Sequence, residues 1–416
     1  MLKRIGKALL IACMLVTGFG SVSTAVKAEG RTGFTDIDGH WAADWIGKAN
    51  AANLLEGYED GTFRPDGSVT RAEFAAFLSR TTKRQTAPNA EQASTFGDIN
   101  GHWSKAVVNK AMALGFINAS DYVNGFEPDK PLTRYEMAKW MANGLAHADG
   151  DYKQALADTK GTLLPIPEYY TGGIEQEQIP YVALVMGTGL MEGFEDGSFR
   201  LTKTTTRAEV CVLLQRYLNV ESKKASEFLG LKELREVGTT GTNLLSLTKY
   251  TYGKDLNKNI ASFDKIVGKP ITMRNGIGTL KIKRLIVVDA SSTSDFKGLY
   301  GSMFIDSKFN DIYNDYYNIF IEMSFTPLID GMDILGFSNG TSSAITNGYR
   351  IENSSLDRYG ITTLPFTNVS QFFEKGIEKN IWVCNKIARK VRPQENLVLY
   401  SAIADTGSET NILLIK

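Results

Sequence analysis

Thr70-Arg71-Ala72-Glu73 begins a segment, TRAEFAAFLSR, whose pattern occurs three times in the chain. The other two copies begin with Thr133-Arg134-Tyr135-Glu136 and Thr206-Arg207-Ala208-Glu209. Apolar residues follow each threonine at i+4, i+7 and i+8: Phe74, Phe77 and Leu78; Met137, Trp140 and Met141; Val210, Leu213 and Leu214. Because this spacing is typical of a buried helical stripe, the pattern predicts three related helices within an internal repeat.

The outer residues of the motif have the pattern of a capping box. In that arrangement the threonine hydroxyl accepts a hydrogen bond from the backbone three residues on, and the glutamate side chain accepts one from the threonine N–H. We therefore predict that six residues close the starts of the three helices: Thr70, Glu73, Thr133, Glu136, Thr206 and Glu209.

Capping does not account for the arginine at the first helical position. A cation there faces the positive end of the helix dipole, so an arginine in every copy indicates a negative group nearby. A helix N-terminus together with a guanidinium suits a bound carboxylate or phosphate. An ion pair with an acidic residue of the same repeat explains the arginine equally well, and the residues alone leave both readings open.

Two further motifs extend the repeat. Phe34-Thr35-Asp36-Ile37-Asp38-Gly39-His40-Trp41 precedes the first copy and recurs as Phe96-Gly97-Asp98-Ile99-Asn100-Gly101-His102-Trp103. A turn-rich loop, Gly57-Tyr58-Glu59-Asp60-Gly61-Thr62-Phe63-Arg64-Pro65, recurs in related form at 193–200. The order of these motifs predicts a helix, a loop and a second helix in each unit.

These motifs resemble the S-layer homology (SLH) module of bacterial cell-surface proteins, over about residues 31–222. The resemblance implies an α-helical pseudo-threefold bundle of three modules, whose grooves bind secondary cell-wall polysaccharide, typically through a pyruvylated sugar. It also implies that the three motif arginines hold the ketal carboxylate. The predicted polysaccharide-binding residues are Arg71, Arg134, Arg207, Asp36, Asp98, Trp41 and Trp103.

The repeat divides the chain into six parts. We expect a signal peptide at 1–28, followed by SLH modules at 31–94, 95–157 and 158–222. A linker at 223–245, with a flexible Gly-Thr-Thr-Gly-Thr stretch at 238–242, would lead to a β-rich C-terminal domain at 246–416.

The three copies are unequal. The second copy has Glu127 where the first has Arg64, and the third copy lacks the Gly-His-Trp of the other two. The third module is expected to begin its pattern at Ala157-Asp158, and Tyr181 replaces the Trp45 of the first helix. We therefore expect two competent grooves rather than three equal ones.

The N-terminal residues have the pattern of a secretory signal peptide, which predicts a secreted protein of the bacterial cell wall or S-layer. A basic start is followed by an apolar run over 8–19 and by Val26-Lys27-Ala28, a suitable cleavage signal. The apolar run is too short for a membrane span. Removal of 1–28 takes away four basic residues and no acid, so the formal charge falls from 0 to −4. That charge disfavours nucleic acid as a partner, and wall binding would have to come from individually placed arginines.

The cysteine and histidine residues give no pattern of a metal or cofactor site. Cys211 and Cys384 remain in the mature chain, and Cys211 aligns with alanines on a packed helix, which favours burial. The three histidines, His40, His102 and His147, are too dispersed for a metal site. We predict that the protein uses no metal and no cofactor.

Beyond about residue 246 the pattern changes to strands. Tyr317, Ile319, Ile321, Met323 and Phe325 alternate as in a half-buried strand, and 285–288 suits a central strand. Residues 397–403 and 412–415 predict a terminal hairpin. We expect a β-rich domain, either a β-sandwich or an α+β fold. Tyr313, Tyr316 and Tyr317 would form a sugar platform, although division between two faces of one strand is favoured.

The sequence supports two classes of function. The preferred one is a non-enzymatic surface protein, anchored to the wall polysaccharide, that displays its C-terminal domain; this domain could also self-assemble. The alternative is an anchored enzyme acting on glycans, which would require two carboxylates with perturbed pKa values in a concave site. No histidine occurs in 221–416, which excludes a Ser-His-Asp triad within the C-terminal domain.

Overall fold

A computed structural model describes residues 33–82, 84, 96–253, 262–273, 275–340, 348–354 and 356–389, and the backbone of 397–403 and 409–415. The expected signal peptide at 1–28 and the expected turn at 404–408 lie outside the described residues. No helix among these residues is long and apolar enough to cross a membrane.

Short helices make up the described N-terminal half. They are α1 (Ala43–Ala51), α2 (Arg71–Thr81), α3 (Lys105–Ala113), α4 (Arg134–Ala148), α5 (Gly150–Asp158), α6 (Pro167–Thr171), α7 (Ile179–Gly187) and α8 (Arg207–Glu221). Three of them, α2, α4 and α8, start at the Thr-Arg-x-Glu motifs, and each has a complete capping box. In the first, Thr70 Oγ1 accepts from the Glu73 N–H at 3.2 Å while the Thr70 N–H donates to Glu73 Oε2 at 2.9 Å.

The segment expected to be a linker contains a buried helix. Residues Leu229–Thr240 form α9, which ends where Gly241 adopts a left-handed conformation with φ of 81°. Its Leu231 and Leu234 are completely buried. The helix lies against α7 so closely that a Cβ added at Gly187 would come within 2.7 Å of Leu231 Cα. Good helix formers (Leu, Lys, Glu and Arg) and the burial of its apolar residues explain why this segment is a helix and not a linker.

The C-terminal half is built on antiparallel strands. Its strands are β1 (Thr251–Tyr252), β2 (Pro270–Thr272), β3 (Gly278–Ala290), β4 (Phe296–Lys297), β5 (Tyr316–Pro327), β6 (Lys379–Ala388), β7 (Leu397–Ile403) and β8 (Glu409–Ile415). The larger sheet has the order β2-β3-β5-β6, with β4 also paired to β3; the smaller has the order β1-β8-β7. The short helices between strands are α10 (Leu244–Leu247), α11 (Gly301–Phe304), α12 (Ile334–Gly340) and α13 (Val369–Phe372).

The larger sheet is buried on both faces along much of its length. Leu285 and Ile319 point into a core within the C-terminal half. Ile286 and Phe320, one residue further along the same strands, belong to the core that also contains the helices of the N-terminal half. In β5, the face that the alternating residues predicted to be buried is buried, and much of the opposite face is buried too. The core that contains the helices of the N-terminal half therefore also contains one face of the sheet. The chain has a multidomain fold, a helical region followed by an antiparallel sheet, with no extended linker among its described residues.

A buried carboxyl group fastens α9 to the sheet. Glu233 is fully buried, and its Oε1 and Oε2 accept from Asn243 Nδ2 and the Leu299 N–H, each at 2.9 Å. Asn243 is bonded in turn to both backbone groups of Val287 in β3, at 2.7 and 2.9 Å. Burial raises the pKa of Glu233 to about 7.

We expect Glu233 to make folding dependent on pH. In the folded state the carboxyl keeps a proton that an unfolded chain, with an ordinary pKa of 4.5, has already released. Stability is therefore greatest below that value and falls as the pH rises towards 7, by an amount on the order of 3 kcal/mol. Urea unfolding at several pH values should show a flatter pH dependence for Glu233→Gln than for the parent; parallel curves would contradict this assignment.

Candidate functional site

The starts of α2, α4 and α8 are joined to one another in a cycle. The Arg71 and Ala72 N–H groups donate to carbonyls of the second repeat, at 3.0 and 2.9 Å. The corresponding groups of α4 donate to the third repeat and those of α8 to the first. The carbonyl acceptors, two for each helix, are Lys130 and Pro128, Lys203 and Leu201, and Gly67 and Pro65. Backbone carbonyls therefore occupy the N–H groups that a helix N-terminus would otherwise offer to an anion.

The Arg71 side chain is buried and neutralised by the second repeat. Its Nε and Nη2 donate to Glu136 Oε1 at 2.9 and 2.5 Å. Its Nη1 donates to the Phe126 carbonyl at 2.8 Å and to Glu127 Oε2 at 3.0 Å. The acidic partners belong to the next repeat and not to the arginine's own, a possibility that the sequence did not suggest.

Arg207 makes equivalent contacts with the first repeat. Its Nη1 donates to Glu73 Oε1 at 2.9 Å, and its Nε and Nη2 donate to the carbonyls of Phe63 and Glu56 at 2.8 and 2.7 Å. The Arg207 side chain is 3% exposed, so its ion pair with Glu73 is well shielded from water. Glu73 thus serves both its own capping box and the neighbouring arginine.

Arg134 differs from both because only carbonyls accept its hydrogen bonds. Its Nε and Nη2 donate to the carbonyls of Phe199 and Glu192, each at 2.8 Å. No carboxylate lies within 4 Å of its guanidinium among the described residues. Burial lowers the pKa of Arg134, and the more distant carboxylates of Glu209 and Glu168 offset this effect only in part.

Asp36 and Asp98 hold the loop that approaches each arginine. Asp36 Oδ1 and Oδ2 accept from the N–H groups of Phe63 and Arg64, each at 2.7 Å, and Asp98 Oδ2 accepts from the Glu127 N–H at 2.7 Å. Arg64 and Glu127 both have the left-handed conformation, with φ of 56° and 49°. The hydrogen bonds to these carboxylates offset the conformational energy of a left-handed backbone, which non-glycine residues rarely adopt.

The same clamp exists in the third repeat, but at a different place from the one expected. Glu168 Oε1 accepts from the N–H groups of Phe199 and Arg200 at 2.8 and 2.7 Å. Asp158, the expected equivalent, instead accepts from Arg235 Nε at 2.9 Å, and the entry assigned to Ala157-Asp158 is therefore wrong. The longer glutamate side chain reaches the loop from α6, and its Oε2 is buried without a hydrogen-bond partner among the described residues.

Trp41 and Trp103 are the accessible members of the predicted set. Each ring is 61% exposed and lies beside the preceding histidine, with ring centroids 5.5 Å apart. His40 and His102 accept from backbone N–H groups two residues on, at 3.1 and 3.2 Å, and so fix the start of the following helix. Within the described structure, no hydrogen bond or cation–π contact joins either tryptophan to a motif arginine.

A cavity of about 670 Å³ lies between α5 and α7, at the boundary of the second and third predicted modules. Lys153, Lys160 and Glu177 contribute its charges, and Tyr181 lines it. The Tyr181 ring contacts Tyr135, the residue after Arg134, edge to face with centroids 6.4 Å apart. The cavity lining holds two lysines and one glutamate, which gives it a net positive charge.

The cysteines do not form a reactive or metal-binding site in the described structure. Cys211 and Cys384 are both buried as free thiols, and burial raises the pKa of each to about 12. Within the described ranges, no group of three or more His, Cys, Asp or Glu side chains could hold a metal ion.

The contacts of Arg71 change the expected outcome of its removal. If Arg71 served only to hold a ligand, Arg71→Ala would weaken ligand binding and leave folding intact. In the structure it leaves the Phe126 carbonyl and the Glu136 carboxylate without their partner, which should lower the free energy of unfolding by about 2–4 kcal/mol. Thermal or urea unfolding measures this, with Arg80→Ala as control because its pair with Glu56 is largely exposed. Equal losses in the two variants would contradict the role of Arg71 between the repeats.

Comparison with known proteins agrees with the repeat motifs. A family model described as the S-layer homology domain matches residues 33–75 and 95–138. Cell surface glycoprotein 1 of Acetivibrio thermocellus is 35% identical over 166 residues, which are 39% of this chain and 7% of that protein. The cellulosome-anchoring protein of the same organism is 40% identical over 108 residues, 25% of this chain and 24% of that protein.

Similarity extends to S-layer proteins, again over a minor part of each chain. The S-layer protein EA1 of Bacillus anthracis is 27% identical over 117 residues, which are 28% of this chain and 13% of that protein. This chain thus spans a quarter or less of the length of these three relatives. The modules and relatives confirm the expected location, a secreted protein of the cell wall or surface. The chain therefore contains two S-layer homology modules, at residues 33–75 and 95–138.

Proposed function

We propose that the protein is anchored non-covalently to the bacterial cell wall by a pseudo-threefold bundle of three S-layer homology modules. These modules bind secondary cell-wall polysaccharide, preferentially through a pyruvylated sugar. The cyclic hydrogen bonds among α2, α4 and α8 support an arrangement of three modules, including a third one outside the family-model matches. The C-terminal domain is displayed from this anchor.

Arg134 is the observation that carries the proposal. Among the described residues, no carboxylate lies within 4 Å of this buried guanidinium, so a ketal carboxylate would be its direct ionic partner, whereas Glu136 and Glu73 already pair with Arg71 and Arg207. The cavity between α5 and α7 supports the same boundary, because Lys153 and Lys160 outnumber Glu177 in its lining and so favour an anionic sugar. We therefore assign the strongest binding to the boundary of the second and third modules.

The other predicted residues have supporting parts in this proposal. The exposed faces of Trp41 and Trp103 are available for stacking against the apolar face of a sugar ring. Asp36 and Asp98 contribute to binding indirectly, because they hold in place the loops at Phe63 and Glu127. Arg71 and Arg207 would take part in binding only where a ligand carboxylate competes with their present acidic partners.

The carboxylates of the C-terminal half favour display over catalysis. Asp264 and Glu322 line a cavity of about 510 Å³ beside α9. However, the Ser262 hydroxyl and Lys265 help to hold the pKa of Asp264 below its usual value, and Glu322 is paired with Arg284. A lowered pKa is the opposite of what a general acid of a glycosidase requires, and the Glu322 carboxylate is occupied by its ion pair.

A pull-down on purified wall sacculi tests the anchoring. The mature protein should bind intact sacculi and lose that binding when the polysaccharide has been stripped. Equal binding to stripped sacculi would contradict the proposal. Removal of the pyruvyl group alone should release most of the protein if the ketal carboxylate is the group recognised.

Neutral replacement of Arg134 tests the site. We expect Arg134→Gln to weaken binding to sacculi by about 1.5–3 kcal/mol, the range for a hydrogen bond to a charged group. Arg216→Ala is the matched control, because Arg216 is exposed and pairs only with Glu192 at 3.4 Å. Circular dichroism must show a folded variant. A folded Arg134→Gln protein with unchanged affinity would remove Arg134 from the binding site.

A further inference from the structure

A further cavity, of about 530 Å³, opens on the C-terminal domain far along the chain from the repeats. Its lining consists of Asp311, Tyr313, Tyr316, Tyr349, Asn385 and Lys386. The volume lies within the range of about 300–1,000 Å³ that is usual for small-ligand sites. The wall-anchoring function has no use for this cavity, which we name the tyrosine cleft.

Three of the lining rings are open to solvent. Tyr313 is 51% exposed, Tyr316 is 42% exposed and Tyr349 is 62% exposed, whereas Tyr317 is buried in the core. Apolar rings that are exposed to water forgo the favourable free energy of burial. Packing therefore does not explain why three rings remain exposed around one cavity. The sequence had favoured dividing these tyrosines between two faces of a strand, and that holds only for Tyr316 and Tyr317.

The rings are held in position by the ends of the strands. Tyr313 and Tyr316 meet edge to face with centroids 6.4 Å apart, and the Tyr316 N–H donates to the Tyr313 carbonyl at 3.0 Å. Tyr349 is joined to β6 by two backbone hydrogen bonds with Cys384, at 2.8 and 2.9 Å. A ligand would therefore find the backbone of the cleft already ordered, which lowers the entropic cost of binding.

The charges of the cleft balance each other. Lys386 Nζ donates to Asp311 Oδ1 and also lies 4.0 Å from the centre of the Tyr313 ring. These two residues are the charged members of the lining, so its net charge is zero. An anionic ligand gains nothing from such a site, while the partly exposed ammonium and carboxylate offer a donor and an acceptor to hydroxyl groups.

We propose that the tyrosine cleft binds a neutral oligosaccharide. The negative faces of the tyrosine rings attract the C–H groups on the apolar face of a pyranose, and the polar lining receives its hydroxyls. The cleft is thus a second sugar site, and it is distinct in charge from the boundary of the second and third modules. The displayed domain would hold a second, uncharged glycan while the modules hold the wall.

The test is calorimetric titration of the full chain with three soluble probes: cellotetraose, chitotetraose and tetragalacturonate. We expect saturable binding of at least one neutral probe and none of the anionic tetragalacturonate. Failure of both neutral probes to bind with a Kd below about 1 mM would overturn the proposal. Stronger binding of tetragalacturonate would overturn the assignment of a neutral ligand.

Variants locate the site. Tyr313→Ala and Tyr349→Ala should each weaken the neutral probe at least tenfold, whereas Tyr313→Phe and Tyr349→Phe, which keep the ring, should stay within threefold of the parent. Phe366→Ala is the control, because Phe366 is 80% exposed but does not line the cleft. Unchanged affinity in both alanine variants would place the sugar elsewhere. Arg134→Gln should leave probe binding intact, and the tyrosine variants should still bind sacculi, so the two functions can fail separately.

Discussion

The helical half depends on backbone N–H groups at the start of one helix that are satisfied by the loop of another repeat. A helix leaves its first four N–H groups unpaired, and a capping box supplies an acceptor for only part of them. In this chain two more are taken by carbonyls of the following repeat, and the cycle returns from the third repeat to the first. No repeat can therefore complete its own motif helix, which explains why the motif occurs as a set.

The same motif arginine has three different electrostatic environments. Arg71 has two acidic partners, Arg207 has one and Arg134 has none among the described residues. Arg71 and Arg207 pair with Glu136 and Glu73, which are the glutamates of neighbouring motifs, and Glu127 from the loop adds the second partner of Arg71. Repeats that share a fold can thus differ in the ligands they accept, because the charge around a buried guanidinium depends on how closely the neighbouring carboxylates approach it.

Local features of the structure followed from the sequence, and long-range ones did not. The capping boxes depend on contacts three residues apart, which the motif displays directly. The partner of Arg71 is Glu136, 65 residues away in the next motif, and the motif does not show that its glutamate reaches the arginine of another repeat. Glu168 was missed because α6 brings a longer side chain to the loop from an irregular segment. Likewise, alternation in β5 revealed one buried face, while burial of Phe320 on the other depends on the neighbouring helices.

The junction between the two halves has a mechanical consequence. Because α9 lies against α7 and is fastened to β3 through Glu233 and Asn243, packed structure and not a flexible linker joins the sheet to the helices in the described part of the chain. The Tyr300 hydroxyl adds a hydrogen bond of 2.8 Å to the Leu163 carbonyl across the same boundary. A pull on the C-terminal half would load packed side chains and strand ends together, so the two halves would keep one relative orientation under shear.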